Sequence, residues 1–131
     1  MDRILIVDDE FLIRYTLEEG LKDRGYDAYS AATVEEGLEV VRKYHPGVLL
    51  LDNLLENSVG MDEIVNFKNA DEELQVIMMT AYGSVSQAVE ATKRGAYDYI
   101  LKPFDVDEID MLIKRCLEQK RNRDSLVFLK G

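Results

Sequence analysis

Five short apolar runs recur along the chain, separated by longer amphipathic stretches: Ile4 to Val7, Ala28 to Ala31, Val48 to Leu51, Val76 to Met79, and Tyr97 to Leu101. Few architectures accommodate this pattern. Runs of uninterrupted Val, Ile, Leu and Met suit strands covered on both faces. Ile4-Leu5-Ile6-Val7, Val48-Leu49-Leu50-Leu51 and Val76-Ile77-Met78-Met79 are of that kind. The second run, Asp27-Ala28-Tyr29-Ser30-Ala31, is more polar and reads as an edge strand. Strand–helix alternation repeated in this way predicts right-handed crossovers and a parallel sheet with helices on both faces. The fold class is therefore α/β, in three layers.

The intervening stretches carry helix punctuation. Ile13, Leu17 and Leu21 share a stripe that stops at Gly25, with Leu12 and Tyr15 on another face. Thr33-Val34-Glu35-Glu36 is a capping box, and the helix it opens must end before Pro46. Ser84 opens a helix carrying Val85, Ala88, Val89 and Thr92, which ends at Gly95. Asp105 with Glu108 starts the last helix, whose apolar face holds Ile109, Leu112, Ile113, Cys116 and Leu117. The stretch from Gly60 to Phe67 is a shorter, weakly periodic helix, and Met61, Met78, Met79 and Met111 read as core filling.

Composition narrows the function classes. Asp plus Glu number 26 against 16 Lys plus Arg, for a formal charge of −10 over 131 residues. Such a balance disfavours direct binding to nucleic-acid phosphates or anionic lipid. The single cysteine, Cys116, excludes an internal disulfide or a multi-cysteine zinc site and suits a reducing compartment. No apolar run approaches the roughly 18 residues of a membrane span, and Met1-Asp2-Arg3 does not begin a signal peptide. A cytoplasmic location is the expectation.

Function should lie at the carboxyl ends of the strands, where open α/β sheets place their ligands. The first strand ends in Asp8-Asp9, the third in Asp52, the fourth in Thr80 and the fifth in Lys102-Pro103. Any one acid there is an ordinary solvated turn residue. Three carboxylates gathered together repel by about 1 kcal/mol or more per pair even at water-like dielectric, so such a group calls for a cation. Mg²⁺ suits it, taking one or two carboxylates and sharing its remaining positions with water and phosphate. Lys102 and Thr80 then serve as phosphate partners, and Asp52 as metal ligand, nucleophile or both.

In this order, Ile4-Leu5-Ile6-Val7-Asp8-Asp9-Glu10, Val48-Leu49-Leu50-Leu51-Asp52, Met79-Thr80-Ala81 and Lys102-Pro103-Phe104 resemble the receiver domain of bacterial response regulators. The resemblance covers about residues 3 to 118 and is strongest to the nitrogen-regulation, enhancer-binding type. It implies a doubly wound, flavodoxin-like sheet of five parallel strands in the order 2-1-3-4-5. It implies that Asp52 accepts a phosphoryl group from a sensor histidine kinase. Asp9, Asp52 and the main-chain carbonyl of Leu54 would ligate Mg²⁺, with Asp8 acting through water. Lys102 would contact the phosphoryl oxygens and precede a cis peptide to Pro103, and Thr80 with Tyr99 would form a switch pair. The family acts as a signalling switch, with only its own phosphoryl transfer and slow autodephosphorylation as chemistry. A phosphatase that uses an aspartate nucleophile would carry it in an Asp-x-Asp pattern on the first strand, which this chain lacks.

Residues 1–120 are accordingly expected to form the receiver, and 121–131 to start a linker to an ATPase and DNA-binding output or to form a tail. Between residues 114 and 131 lie six basic and two acidic residues and the apolar run Leu126-Val127-Phe128-Leu129. Homodimerisation is expected through the fourth helix, fifth strand and fifth helix. The family's usual proline four positions after the phosphoacceptor is replaced by Glu56, which should leave that loop less rigid. Leu54 and Tyr82, each two positions past a site residue, add bulk that should hinder an attacking water and slow hydrolysis of a phosphoaspartate.

Overall fold

A computed structural model describes residues 2–81 and 85–130. The chain runs β1 (Arg3–Val7), α1 (Phe11–Asp23), β2 (Asp27–Ala31), α2 (Val34–Tyr44), β3 (Val48–Asp52), β4 (Leu54–Leu55), β5 (Ser58–Val59), α3 (Gly60–Ala70), β6 (Gln75–Thr80), α4 (Val85–Lys93), β7 (Asp98–Leu101) and α5 (Val106–Lys130). Five of the strands form one sheet in the order β2-β1-β3-β6-β7, with every pairing parallel. Those five correspond to the expected runs, in the expected 2-1-3-4-5 order. The polar second strand is at the edge.

Alternate side chains of each strand feed opposite layers. Ile4, Ile6, Val48, Leu50, Ile77 and Met79 pack with Leu17 and Leu21 of α1 and Ile109, Ile113 and Cys116 of α5. Leu5, Val7, Leu49, Leu51, Val76 and Met78 face Val34 and Val41 of α2, Ile64 and Phe67 of α3, and Ala91 of α4. A three-layer sandwich results, and both faces of β1 and β3 are dry.

Local chemistry ends the helices. The Thr33 hydroxyl accepts the Glu36 N–H at 3.2 Å, and the Glu36 carboxylate accepts the Ala32 N–H at 3.2 Å. Caps of this kind contribute about 1 kcal/mol. Asp105 Oδ1 likewise accepts the Glu108 N–H at 2.9 Å at the start of α5. Gly25 (φ +91°) and Gly95 (φ +109°) end their helices in the left-handed region that favours glycine.

One expectation is corrected, and two further features were not anticipated. Met111 is 63% exposed and fills no core; it lies on the face of α5 opposite Ile109 and Ile113. In α4, Val85 and Val89 are exposed and Ala91 is buried. Val89 and Ala91 stand roughly 200° apart around a helix of 3.6 residues per turn, so only one can face the sheet. The small alanine permits the closer approach. The loop after β3 contains a two-stranded antiparallel hairpin, β4 with β5, which short strands without periodicity did not announce. Ser84, the expected helix start, lies outside the described residues.

Candidate functional site

Parallel pairing brings four strand ends to one rim. Asp8 follows β1, Asp52 ends β3, Thr80 ends β6 and Lys102 follows β7. Backbone bonds hold them in register: Asp8 N–H donates to the Ala31 carbonyl at 3.2 Å, Asn53 N–H to Met79 at 2.9 Å, and Lys102 N–H to Thr80 at 2.7 Å. Asp8, Asp52 and Thr80 are buried, whereas Asp9 is exposed.

One carboxylate oxygen from each of Asp8, Asp9 and Asp52 lies within 4.8 Å of the others. Lys102 Nζ sits 2.8 Å from Asp8 Oδ2 and 3.3 Å from Asp52 Oδ1. One ammonium against three carboxylates leaves the pocket net negative. Burial, and then the neighbouring Asp8 charge, push the Asp52 carboxyl up to about 6, against the opposing pull of Lys102 and a hydrogen bond from the Leu54 N–H. For Lys102 burial pulls the ammonium down, but its bond to Asp8 and the charges of Asp8 and Asp52 outweigh that and hold it above the usual lysine value. The donor set is hard oxygen with surplus negative charge, so these residues fit a hard divalent cation.

The segment after Asp52 is built as a clamp. Gly60 N–H donates to the Asn53 carbonyl at 2.7 Å, and Asn53 Oδ1 accepts the Met61 N–H at 3.1 Å. Leu54 pairs with Val59 and Leu55 with Ser58, leaving Glu56-Asn57 as a two-residue turn. Glu56, which stands where the family usually has proline, lies in the turn of this hairpin. The Leu54 side chain is exposed. Glu56 is exposed too, on the wall of a cleft of about 230 Å³ shared with Asp9, Glu35 and Glu63.

Tyr99, opposite Met78 in the β6–β7 register, packs against the α2–α3–α4 core. Its hydroxyl is buried and has no hydrogen-bond partner among the described residues. The Lys102–Pro103 peptide is cis. Beside Lys102 opens an apolar groove of about 380 Å³ whose walls include Leu12, Ile13, Pro103 and Phe104. Tyr82 lies outside the described residues.

Sequence reasoning missed three residues that shape the site. Arg14 Nη1 donates to the main-chain carbonyl of Asp8 at 2.7 Å, yet an arginine on a helix reads as solvated. Asn53 passes for a turn residue. Gly60 passes for a helix start, although a β-carbon there would overlap the Asp52 carbonyl oxygen.

An open parallel sheet with an acidic, lysine-bridged pocket at its carboxyl rim defines the class: a doubly wound α/β domain with a receiver-like site. The chain belongs to the response regulator receiver domain family, whose profile matches residues 4–114. It is 38% identical to sporulation initiation phosphotransferase F of Bacillus subtilis, over 92% of this chain and 98% of that protein. It is 36% identical to the nitrogen assimilation regulatory protein NtrX of Azorhizobium caulinodans, over 97% of this chain but 28% of that protein. Among solved structures, the beryllofluoride-activated NtrC4 receiver domain dimer superposes with a TM-score of 0.85 at 34% identity, covering 92% of this chain and 99% of that one. The chain thus spans nearly all of one relative and about a quarter of the nitrogen regulators. Among the described residues no helix is long and apolar enough to cross a membrane.

Proposed function

We propose that this domain is a switch thrown by phosphorylation of Asp52. A carboxylate oxygen of Asp52 attacks the phosphorus of a phosphohistidine on a sensor histidine kinase. The P–N bond breaks, its electron pair returns to the imidazole, and an acyl phosphate forms on Asp52. Mg²⁺ would be held by Asp9, Asp52 and the Leu54 main-chain carbonyl, with Asp8 through water, and when bound it offsets charge on the phosphoryl oxygens. Lys102, already between Asp8 and Asp52, swings its ammonium to a phosphoryl oxygen. The observation that carries this reading is Asp52 itself: an almost buried carboxylate at a strand end, 3.3 Å from an ammonium and beside two further acids.

Readout passes through Thr80 and Tyr99. The Thr80 hydroxyl turns toward the phosphoryl group, and the Tyr99 ring occupies the inward position. A buried hydroxyl without a partner among the described residues costs about 1–3 kcal/mol, which weighs against the inward ring position. The outcome is a changed α4–β7–α5 face, where Val85, Val89, Leu101 and Met111 are exposed apolar side chains. We read that face as the homodimer contact. Residues 1–120 constitute the switch and 121–131 the start of a linker to a transcription-activating output or a tail. The protein works in the cytoplasm and turns over no substrate beyond its own phosphoryl group.

Incubation with phosphoramidate, with and without Mg²⁺, followed by intact-mass analysis tests the reading. Wild type should gain one phosphoryl group only with the metal, and Asp52→Asn none. Equal gain by both proteins would exclude Asp52 as acceptor.

A further inference from the structure

We propose that Arg14 is a positioning residue for the cation site, holding the Asp8–Asp9 peptide in the orientation that brings the Asp9 carboxylate to Asp52. The proposal rests on the reading of that site as a Mg²⁺-dependent phosphoacceptor centre.

Asp8 is restrained at three oxygens. Its Oδ1 accepts the Glu10 N–H at 2.9 Å, its Oδ2 accepts Lys102 Nζ at 2.8 Å, and its main-chain oxygen accepts Arg14 Nη1 at 2.7 Å. The second fixes the Asp8 side chain and the first closes a turn across Asp9; the third acts directly on the peptide oxygen between Asp8 and Asp9. That peptide is planar, so fixing its oxygen fixes its amide nitrogen and the direction in which the Asp9 α-carbon departs. Asp9 is exposed, and its carboxylate is placed chiefly by the backbone that carries it.

Arg14 is held for this task. Its own N–H donates to the Glu10 carbonyl at 3.1 Å as α1 begins, and its guanidinium lies 5.9 Å from the centre of the Phe11 ring. The bond therefore spans the β1–α1 turn and locks the turn to the first turn of the helix. Counter-charge is not the explanation, because Lys102 already lies against Asp8 and Asp52.

The two roles differ in sign. A cationic side chain near three carboxylates repels Mg²⁺, so removing it for charge alone would tighten metal binding. Removing a positioning contact would loosen it, and outer contacts of this kind typically cost about 10–100-fold in metal affinity.

The test is a MgCl₂ titration of the metal-free domain followed through its ¹H–¹⁵N amide spectrum, which also reports folding. Arg14→Met should bind Mg²⁺ about tenfold more weakly than wild type, and Arg14→Lys, which keeps a long donor, should stay within about threefold. Should Arg14→Met fail to fold, Arg14→Gln, too short to reach the carbonyl, takes its place with the same expected loss. Affinity in the methionine or glutamine variant equal to or tighter than wild type would overturn the role of Arg14. If wild type itself binds no Mg²⁺, or Asp9→Asn binds it equally well, the underlying reading of the site fails instead.

Discussion

Gly60 packs against Asp52 so closely that a β-carbon would overlap the Asp52 main-chain oxygen, and would also lie 3.1 Å from the Asn53 α-carbon. The helix that follows the candidate acceptor is thereby pressed against the acceptor's own backbone. Neither obstacle is a flexible side chain that could move aside. Gly60→Ala should destabilise the domain by about 2–3 kcal/mol, at the upper end of overpacking costs, as measured by urea unfolding. It should also slow phosphorylation, because relief of the clash displaces Asp52.

The Asp52 carboxyl is raised from 3.8 to about 6, first by burial and then by Asp8. The folded state thus binds the Asp52 proton more tightly than the unfolded state does. Stability is full below the unfolded value and declines as pH rises through the folded one. Near neutral pH, without divalent cation, wild type carries this cost and Asp52→Asn does not. The variant should be more stable by about 1–3 kcal/mol there, with the difference vanishing below about pH 4. Thermal unfolding in EDTA across that range is the measurement. Saturating Mg²⁺ should shrink the gap by stabilising wild type alone.

Lys102 gives the opposite sign. Its removal leaves the buried Asp8 and Asp52 carboxylates without their shared ammonium. Lys102→Met should lose about 3 kcal/mol near neutral pH, and less in acid where Asp52 is protonated. Chemical denaturation at the two pH values reads the difference.

Leu54, exposed on the hairpin beside Asp52, bears on the lifetime of the phosphorylated state. An apolar side chain there holds no attacking water. Leu54→Asn should hydrolyse its phosphoaspartate faster by roughly tenfold, a barrier change of about 1.4 kcal/mol. Loss of the added mass with time after donor removal supplies the rate.

The sheet was legible because buried parallel strands write themselves as unbroken apolar runs, as in Val48-Leu49-Leu50-Leu51, and because strand ends are where the polar residues stop those runs. Asp8, Asp52, Thr80 and Lys102 were visible for that reason. The hairpin was not, since Leu54–Leu55 and Ser58–Val59 are too short for alternation to register. Met111 misled because apolar character signals a buried face only when a partner covers it, and α5 turns that side chain outward. Arg14 and Gly60 act through backbone oxygens, and nothing in a residue's identity says which carbonyl it will meet. The Tyr26 hydroxyl bond to Asp110 at 2.6 Å, which ties the start of β2 to α5, escaped notice on the same grounds.

Identity of the acceptor atom is the point on which the account stands. Phosphorylation with phosphoramidate and Mg²⁺, reduction of the acyl phosphate by borohydride, and peptide mapping would locate it. Homoserine is expected at position 52 alone. Homoserine at position 8 or 9, or a phosphoryl group that resists borohydride, would contradict it.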